Sequence, residues 1–304
     1  MNQSASREDR LIGALYGSFI GDAICLAPHW IYDPSEIEKR FGKITGFLDP
    51  STNTYHSSRK RGEFTHYGDQ ALCLLQAINH ADGFSLKTFE AEWQAMWPGY
   101  QGYIDGATKS TLRNGHSDSH DLAGASRIAP IVVGLHEDES EIMLHAVTSQ
   151  TSLTHAHPEV VDTSRFFAIL SRSLINGREW EEALAVASAS EYLALEPEKW
   201  IASAQSQVEN CPNEALETLG KACSLSDGLP STLYFLFRFR DSLADAITEN
   251  ANAGGDSASR GLLIGLVLGA FHGVGHIPER WIQDLQAHQI ILEWLEARGL
   301  HPGV

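Results

Sequence analysis

The sequence predicts an all-α protein, one large domain of orthogonally packed helices, on three observations. Apolar residues recur at helical spacing along most of the chain, as in Phe166, Phe167, Leu170 and Leu174. Strand-like alternation is nearly absent. The 304 residues, 43% apolar with seven Trp and twelve Phe, run without a linker, low-complexity tract or repeat, enough for one core over residues 1–304.

In chain order, the polar start MNQSASREDR has no export-signal pattern and leads into a helix expected over 8–26. Residues 42–66 form a long irregular stretch, in which Gly, Pro, Ser, Thr and Asn mix with Tyr55, His56 and the basic triplet Arg59-Lys60-Arg61. The triplet reads as a solvated loop face or as a contact for an anionic ligand. Helices are expected over 69–81, 86–97, 103–113, 123–134 and 138–149, with the patch from Asn114 to Asp121 left to turns or polar ligands. The stripe from Phe166 to Leu174 marks the next helix, and Asn176-Gly177 a turn after it. Helices over 179–188, 192–208 and 213–222 precede a second turn at Asp227-Gly228. Leu236, Phe239, Leu243 and Ile247 form one further stripe, and Trp281, Leu285, Leu292 and Leu295 the last.

Between those stripes lies the most informative segment, Ala253 to Gly261 running into the uncharged apolar stretch Leu262 to Phe271. Gly254 and Gly255 allow a tight turn, Asp256 is placed to cap the following helix through its carboxylate, and Gly261, Gly265 and Gly269 form a small-residue ridge for close packing. The same residues read equally as an ordinary cap and packing face, or as a polar site at the head of a buried helix.

The net charge of −17 opposes binding to nucleic acid or to an anionic membrane surface. The 262–271 run is far short of the roughly 20 residues a membrane span requires. Cys25, Cys73, Cys211 and Cys223 show no close-paired spacing and read as reduced core residues, so a cytoplasmic protein is expected. Asp22, between Gly21 and Ala23, must find donors or a cation, and Arg127 is a candidate partner or a ligand contact. His157 with Pro158 reads as a helix start. Trp93, Trp97, Tyr100 and Tyr103 line a core, a cleft or a partner surface.

Four stretches bring acids, hydroxyls and imidazoles to expected helix ends: Gly21-Asp22-Ala23 with Pro28-His29-Trp30, Thr65 to Gln70, Thr154 to Pro158, and Gly254-Gly255-Asp256. Taken in order, and with Arg10 to Gly17, Ser126-Arg127-Ile128-Ala129-Pro130 and Ile277-Pro278-Glu279, they resemble the ADP-ribosylglycohydrolase family over nearly the whole length. That resemblance implies an all-α fold of the ADP-ribosylglycohydrolase type and hydrolysis of ADP-ribose from proteins with two divalent metals.

The chain departs from the family pattern at the metals. Thr-Asp-Asp-Thr reads Tyr67, Gly68, Asp69 and Gln70; Gly-Gly-Asp-Thr-Asp-Thr reads Gly254, Gly255, Asp256, Ser257, Ala258 and Ser259; a metal-contacting Glu is replaced by His29. Two close divalent ions require several bridging carboxylates. The resemblance therefore implies a single Mg²⁺ or Mn²⁺ on Asp69, Asp256 and Ser259 rather than a dinuclear centre, with His29 as a further nitrogen ligand favouring Mn²⁺ or Zn²⁺ over Mg²⁺. It assigns Asp69, Asp256 and His29 to catalysis. His155, Gly124, Ser126 and Tyr67 fall to an ADP-ribosyl or other nucleotide-like ligand. Tyr67-Gly68-Asp69 and Asp121-Leu122-Ala123-Gly124 are similar to a divergent branch that includes J crystallins and selenoprotein J. Three readings follow: hydrolysis of an N- or O-glycosidic bond, ligand binding without turnover, and a structural role.

Overall fold

The computed structural model describes residues 5–303; residues 1–4 and 304 of the expected domain lie outside the described residues. Among the described residues the chain is helical, and its strand-like pairings are two isolated bridges, Asp118 with His155 and Asp121 with Ser224. The first half comprises α1 (Arg7–Cys25), α2 (Pro34–Phe41), α3 (His66–His80), α4 (Leu86–Met96), α5 (Gly106–Asn114), α6 (Ala123–Ser126), α7 (Ala129–Gly134), α8 (Ser140–Thr154) and α9 (Pro158–Ile175). The second comprises α10 (Trp180–Ser188), α11 (Pro197–Gln205), α12 (Pro212–Leu219), α13 (Leu225–Arg238), α14 (Leu243–Ala253), α15 (Ser257–His272), α16 (Glu279–Gln283) and α17 (His288–Glu296). Among the described residues no helix is long and apolar enough to cross a membrane.

The centre of the molecule is the antiparallel pair α1 and α15, buried from Leu11 to Cys25 and from Ser257 to Ala270. The ridge of Gly261, Gly265 and Gly269 meets a second ridge, with Gly13 against Gly269, Gly17 against Gly265 and Gly21 against Gly261. A Cβ on Gly13 would stand 2.6 Å from the Gly269 carbonyl oxygen, and one on Gly17 or Gly21 would strike the opposing carbonyl outright. Only glycine permits two backbones to approach so closely. The antiparallel register carries residues 27–31, which leave α1, to the turn that precedes α15.

Several boundaries differ from the sequence reading. Leu236 and Phe239 close α13 whereas Leu243 and Ile247 belong to α14, because the Ser242 hydroxyl accepts the Asp245 N–H at 3.2 Å and starts a new helix. The last stripe likewise divides between α16 and α17. Asp227-Gly228 is no turn: both lie in α13, where a Cβ on Gly228 would stand 2.8 Å from Leu122 Cδ2, so this glycine serves packing. Gly177 does take a turn conformation, with φ 82° after α9. The cysteine reading holds for buried Cys25 and Cys73 but not for exposed Cys211, which precedes α12, or half-buried Cys223.

Candidate functional site

The turn before α15 is built as its residues suggest. Gly254 and Gly255 have φ of 72° and 69°, and the loop after α1 docks on them through Trp30 N–H to Gly255 O at 2.8 Å and Gly255 N–H to Ile31 O at 2.9 Å. Trp30 itself sits at φ 65°, a left-handed conformation costly for a bulky side chain and held by these bonds. Asp256 N–H is bound to Lys221 O at 2.9 Å. Asp256 occupies the cap position of α15, but its carboxylate does not bind the helix backbone as expected. It accepts His29 Nε2–H at 2.8 Å and the Ser259 hydroxyl at 2.9 Å, and it is 1% exposed.

His29 is held in turn by a residue that the sequence reading left unassigned within the irregular stretch: His29 Nδ1 lies 2.7 Å from His56 Nε2. Burial pushes the Asp256 carboxyl up, yet the bonds from His29 and Ser259, with Arg260 behind them, bring it below the ordinary carboxylate value. Burial lowers His29 despite the carboxylate beside it, and lowers His56, which also feels His29, His66 and Arg59. The chain is thus an ionised carboxylate followed by two neutral imidazoles, and its tautomers follow from the hydrogen bonds. His29 donates from Nε2 and accepts at Nδ1 from His56 Nε2–H. His56 Nδ1 is left as a bare acceptor, buried without a hydrogen-bond partner.

Around this chain stand further rings. His66 and Tyr67, opening α3, lie 6.2 Å and 5.5 Å from the His29 ring, and burial lowers His66 to about 3 while raising the Tyr67 phenol. Above them Trp30, Tyr55 and Tyr103 meet edge to face with centroids about 5 Å apart, Tyr55 being 59% exposed. Below, Arg260 is fully buried and donates to Gly254 O at 2.5 Å and Asn250 Oδ1 at 2.8 Å. A lone cation next to an uncharged apolar run is the sequence signal that marks Arg260; His56 carries none beyond its place in a polar loop.

Asp69 has a different environment. Its side chain, 18% exposed, accepts from the Arg59 guanidinium and from Tyr100 OH at 2.5 Å, and burial holds it up at about 6 against the pull of Arg59. The basic triplet is therefore split. Arg59 is an internal counter-ion rather than part of a solvated face, while Lys60 and Arg61 are exposed. Among the described residues no side chain bonds both Asp69 and Asp256. The aromatic group Trp93 to Tyr103 divides too: Trp93 and Trp97 are buried, Tyr100 serves Asp69, and Tyr103 joins the rim.

Asp22 finds donors, Thr65 N–H at 2.7 Å and the Thr65 hydroxyl at 2.6 Å, and burial raises it to about 7. The pairing of Arg127 with Asp22 is not made, because Arg127 donates to Gln70 Oε1 and, at 2.5 Å, to the Thr154 hydroxyl. Thr154 Oγ1 lies 2.8 Å from His155 Nδ1, and burial next to Arg127 lowers His155 to about 3. A side chain on Gly124 would collide with the His155 ring, and the Ser126 hydroxyl donates to Ala123 O at 2.9 Å. His155, Gly124 and Ser126 thus form one packed unit, and Tyr67, His29, Asp256 and Ser259 another.

These donors fit a dinuclear divalent centre poorly. Gly68 and Ala258 offer no oxygen ligand from their side chains, Arg59 neutralises Asp69, and both Asp256 oxygens already accept hydrogen bonds. Among the described residues, the group of three His, Cys, Asp or Glu side chains close enough to hold an ion is His120, His157 and Glu159, which includes neither acid.

Comparison with known proteins gives a consistent result. The chain is 24% identical to crystallin J1A of Tripedalia cystophora over 96% of its length and 97% of the crystallin. It is 24% identical to the ADP-ribosylarginine hydrolase Tri1 of Pseudomonas putida (strain GB-1), over 93% of this chain and 76% of that one. A solved structure described as an ADP-ribosylglycohydrolase-related protein complex superimposes with a TM-score of 0.74 at 21% identity, covering 95% of this chain and 96% of that one. Residues 3–302 match the ADP-ribosylglycohydrolase family, and the chain belongs to it.

Proposed function

We propose that this protein hydrolyses an N- or O-glycosidic bond of an ADP-ribosyl or related nucleotide-sugar group at the Asp256 end of the site. The observation that carries the reading is the Asp256–His29–His56 chain, which ends in an imidazole nitrogen with a free lone pair. Burial makes His56 a weak base in the free protein, so the proton moves from water to His56 Nδ1 only as the water oxygen bonds to the anomeric carbon and the glycosidic bond breaks, with the Asp256 charge acting through His29. The resulting imidazolium returns the proton to the leaving nitrogen or oxygen. Asp256 stabilises both the imidazolium, through His29, and the positive charge that develops on the ribose. Trp30, Tyr55 and Tyr103 offer aromatic faces to the base of a nucleotide. No step passes through a metal.

The second reading is binding without turnover, favoured by the Arg59 guanidinium on Asp69, which leaves one acid of the pair occupied. The relatives fit either outcome, since one is named a hydrolase of ADP-ribosylarginine and another a crystallin.

The test is release of free ADP-ribose from ADP-ribosylarginine and from O-linked ADP-ribosyl conjugates, run with EDTA, Mg²⁺ or Mn²⁺. Release is expected in EDTA, with a loss of about a hundredfold or more in His56→Phe and complete loss in Asp256→Ala. Release that appears only with Mg²⁺ or Mn²⁺ returns the site to a single ion on Asp69, Asp256 and Ser259. No release from any conjugate, with calorimetric binding of ADP-ribose, establishes the second reading; neither release nor binding leaves the structural role.

A further inference from the structure

Away from the Asp256 chain, two segments that the sequence marks as turn-rich and as a helix start converge on one point. His120 lies on the loop between α5 and α6, while His157 and Glu159 stand at the head of α9. His120 Nε2 is 3.1 Å from Glu159 Oε2, and the His120 and His157 rings lie 4.2 Å apart at 61°. One ligand atom from each residue falls within 4.8 Å of the others, and all three side chains are partly exposed, so an ion can reach them.

We infer that His120, His157 and Glu159 form a binding site for one Zn²⁺ or similar first-row divalent ion, with water completing the coordination. Ligand atoms around a tetrahedral zinc with bonds of about 2.0–2.1 Å stand roughly 3.3 Å apart, close to the His120–Glu159 separation. Two imidazoles and one carboxylate select zinc, cobalt or nickel over Mg²⁺ and Ca²⁺, which prefer oxygen. The backbone sets the three side chains in place without the ion. Ala156 N–H binds Ser117 O at 2.9 Å, Asp118 bridges to His155, and Leu225 N–H binds His120 O at 2.8 Å.

Two contacts must yield. His120 Nε2–H donates to Glu159 Oε2, and ligation at that nitrogen moves its proton to Nδ1 and replaces this bond by the ion. His157 Nδ1 accepts the Glu159 N–H at 3.3 Å, and ligation through Nε2 moves the imidazole proton to Nδ1 and ends that bond. The bond is long, and Pro158 at the first helical position already removes one amide in need of a cap, so the helix start survives the change. The ion clips the 115–122 loop to α9. It does so beside the larger site, since Leu122 N–H binds Cys223 O at 2.9 Å and Cys223 Sγ accepts from Trp30 Nε1–H at 3.2 Å.

The experiment is calorimetric titration of Zn²⁺ into the EDTA-stripped full chain, followed by Co²⁺ titration read by visible absorption. The expected result is one ion bound at a micromolar dissociation constant or tighter, about −8 kcal/mol or better. His120→Ala and His157→Ala each weaken it at least about tenfold and remove the cobalt bands, whereas His80→Ala, at an exposed His–Glu pair elsewhere, changes nothing. Circular dichroism establishes that each variant is folded. The inference is overturned if the wild-type chain takes up no zinc at up to about 0.1 mM, or if His120→Ala and His157→Ala bind it as the wild type does.

Discussion

Asp256 and Asp69 stand at the heads of two helices, α15 and α3, and the protein treats them in opposite ways. Asp256 is 1% exposed, ionised and bonded to a neutral imidazole, with its turn fixed by backbone contacts to Ile31, Trp30 and Lys221. Asp69 is partly exposed, raised to about 6, and paired with a guanidinium from a loop. A buried anion is tolerable only where hydrogen bonds replace water, so the Asp256 end must be rigid. The Asp69 pair is partly solvated and contributes less. The two acids are thus unequal: one is built into the core and the other is neutralised at its edge.

The largest effect is expected where the Asp256 end meets the core. Gly17→Ala forces a methyl into the Gly265 carbonyl, a backbone atom that cannot rotate away, and should cost roughly 3 kcal/mol or more in chemical denaturation. If Gly17→Ala melts like the wild type, the two glycine ridges do not set the position of Asp256.

An intermediate effect is expected from pH. Burial lowers His29, His56, His66 and His155, so below about pH 6.5 the unfolded chain takes up protons on them that the folded chain refuses. Asp22 and Asp69, raised to about 7 and about 6, act in the other direction, because there the folded chain binds protons first. The histidines outnumber the acids. Stability should therefore fall from about pH 7 to about pH 5, by about 1.4 kcal/mol per pH unit for each unbalanced proton, and His56→Phe should flatten the slope. A melting temperature that rises on acidification would mean that these imidazoles are charged in the folded chain.

The smallest effect is expected at the other acid. Arg59→Ala removes the counter-ion of a largely buried carboxyl and should cost about 1–2 kcal/mol, limited because the stranded Asp69 can take up a proton. It also frees Asp69 for a cation, so millimolar Mn²⁺ should raise the melting temperature of the variant more than that of the wild type. Equal responses would show that the guanidinium does not stand where an ion otherwise binds.

Much of this was legible in residue spacing. The helical class, the irregular stretch up to the start of α3, the Gly254-Gly255 turn and the small-residue ridge of α15 depend on local propensity and periodicity, which act within a few residues. The junction between α13 and α14 was not legible, because a stripe carries on across a break set by one Ser242 cap. The partners of the acids were hidden as well: His56 is 200 residues from Asp256 along the chain, and Arg59 looked like one of three similar loop cations.

Sequence by itself determined that this chain is helical, that it belongs among the ADP-ribosylglycohydrolases, and that it carries Gly68 and Ala258 where the family resemblance implies carboxylates. Only the tertiary structure decided what holds the two remaining acids. The antiparallel glycine contact of α1 with α15 brings His29 to Asp256, and the loop before α3 brings His56 and Arg59 to their places. The physical reason is range. Propensity and periodicity act along the backbone, whereas the partner of a buried charge is chosen by which distant donors the packed core leaves within hydrogen-bond reach.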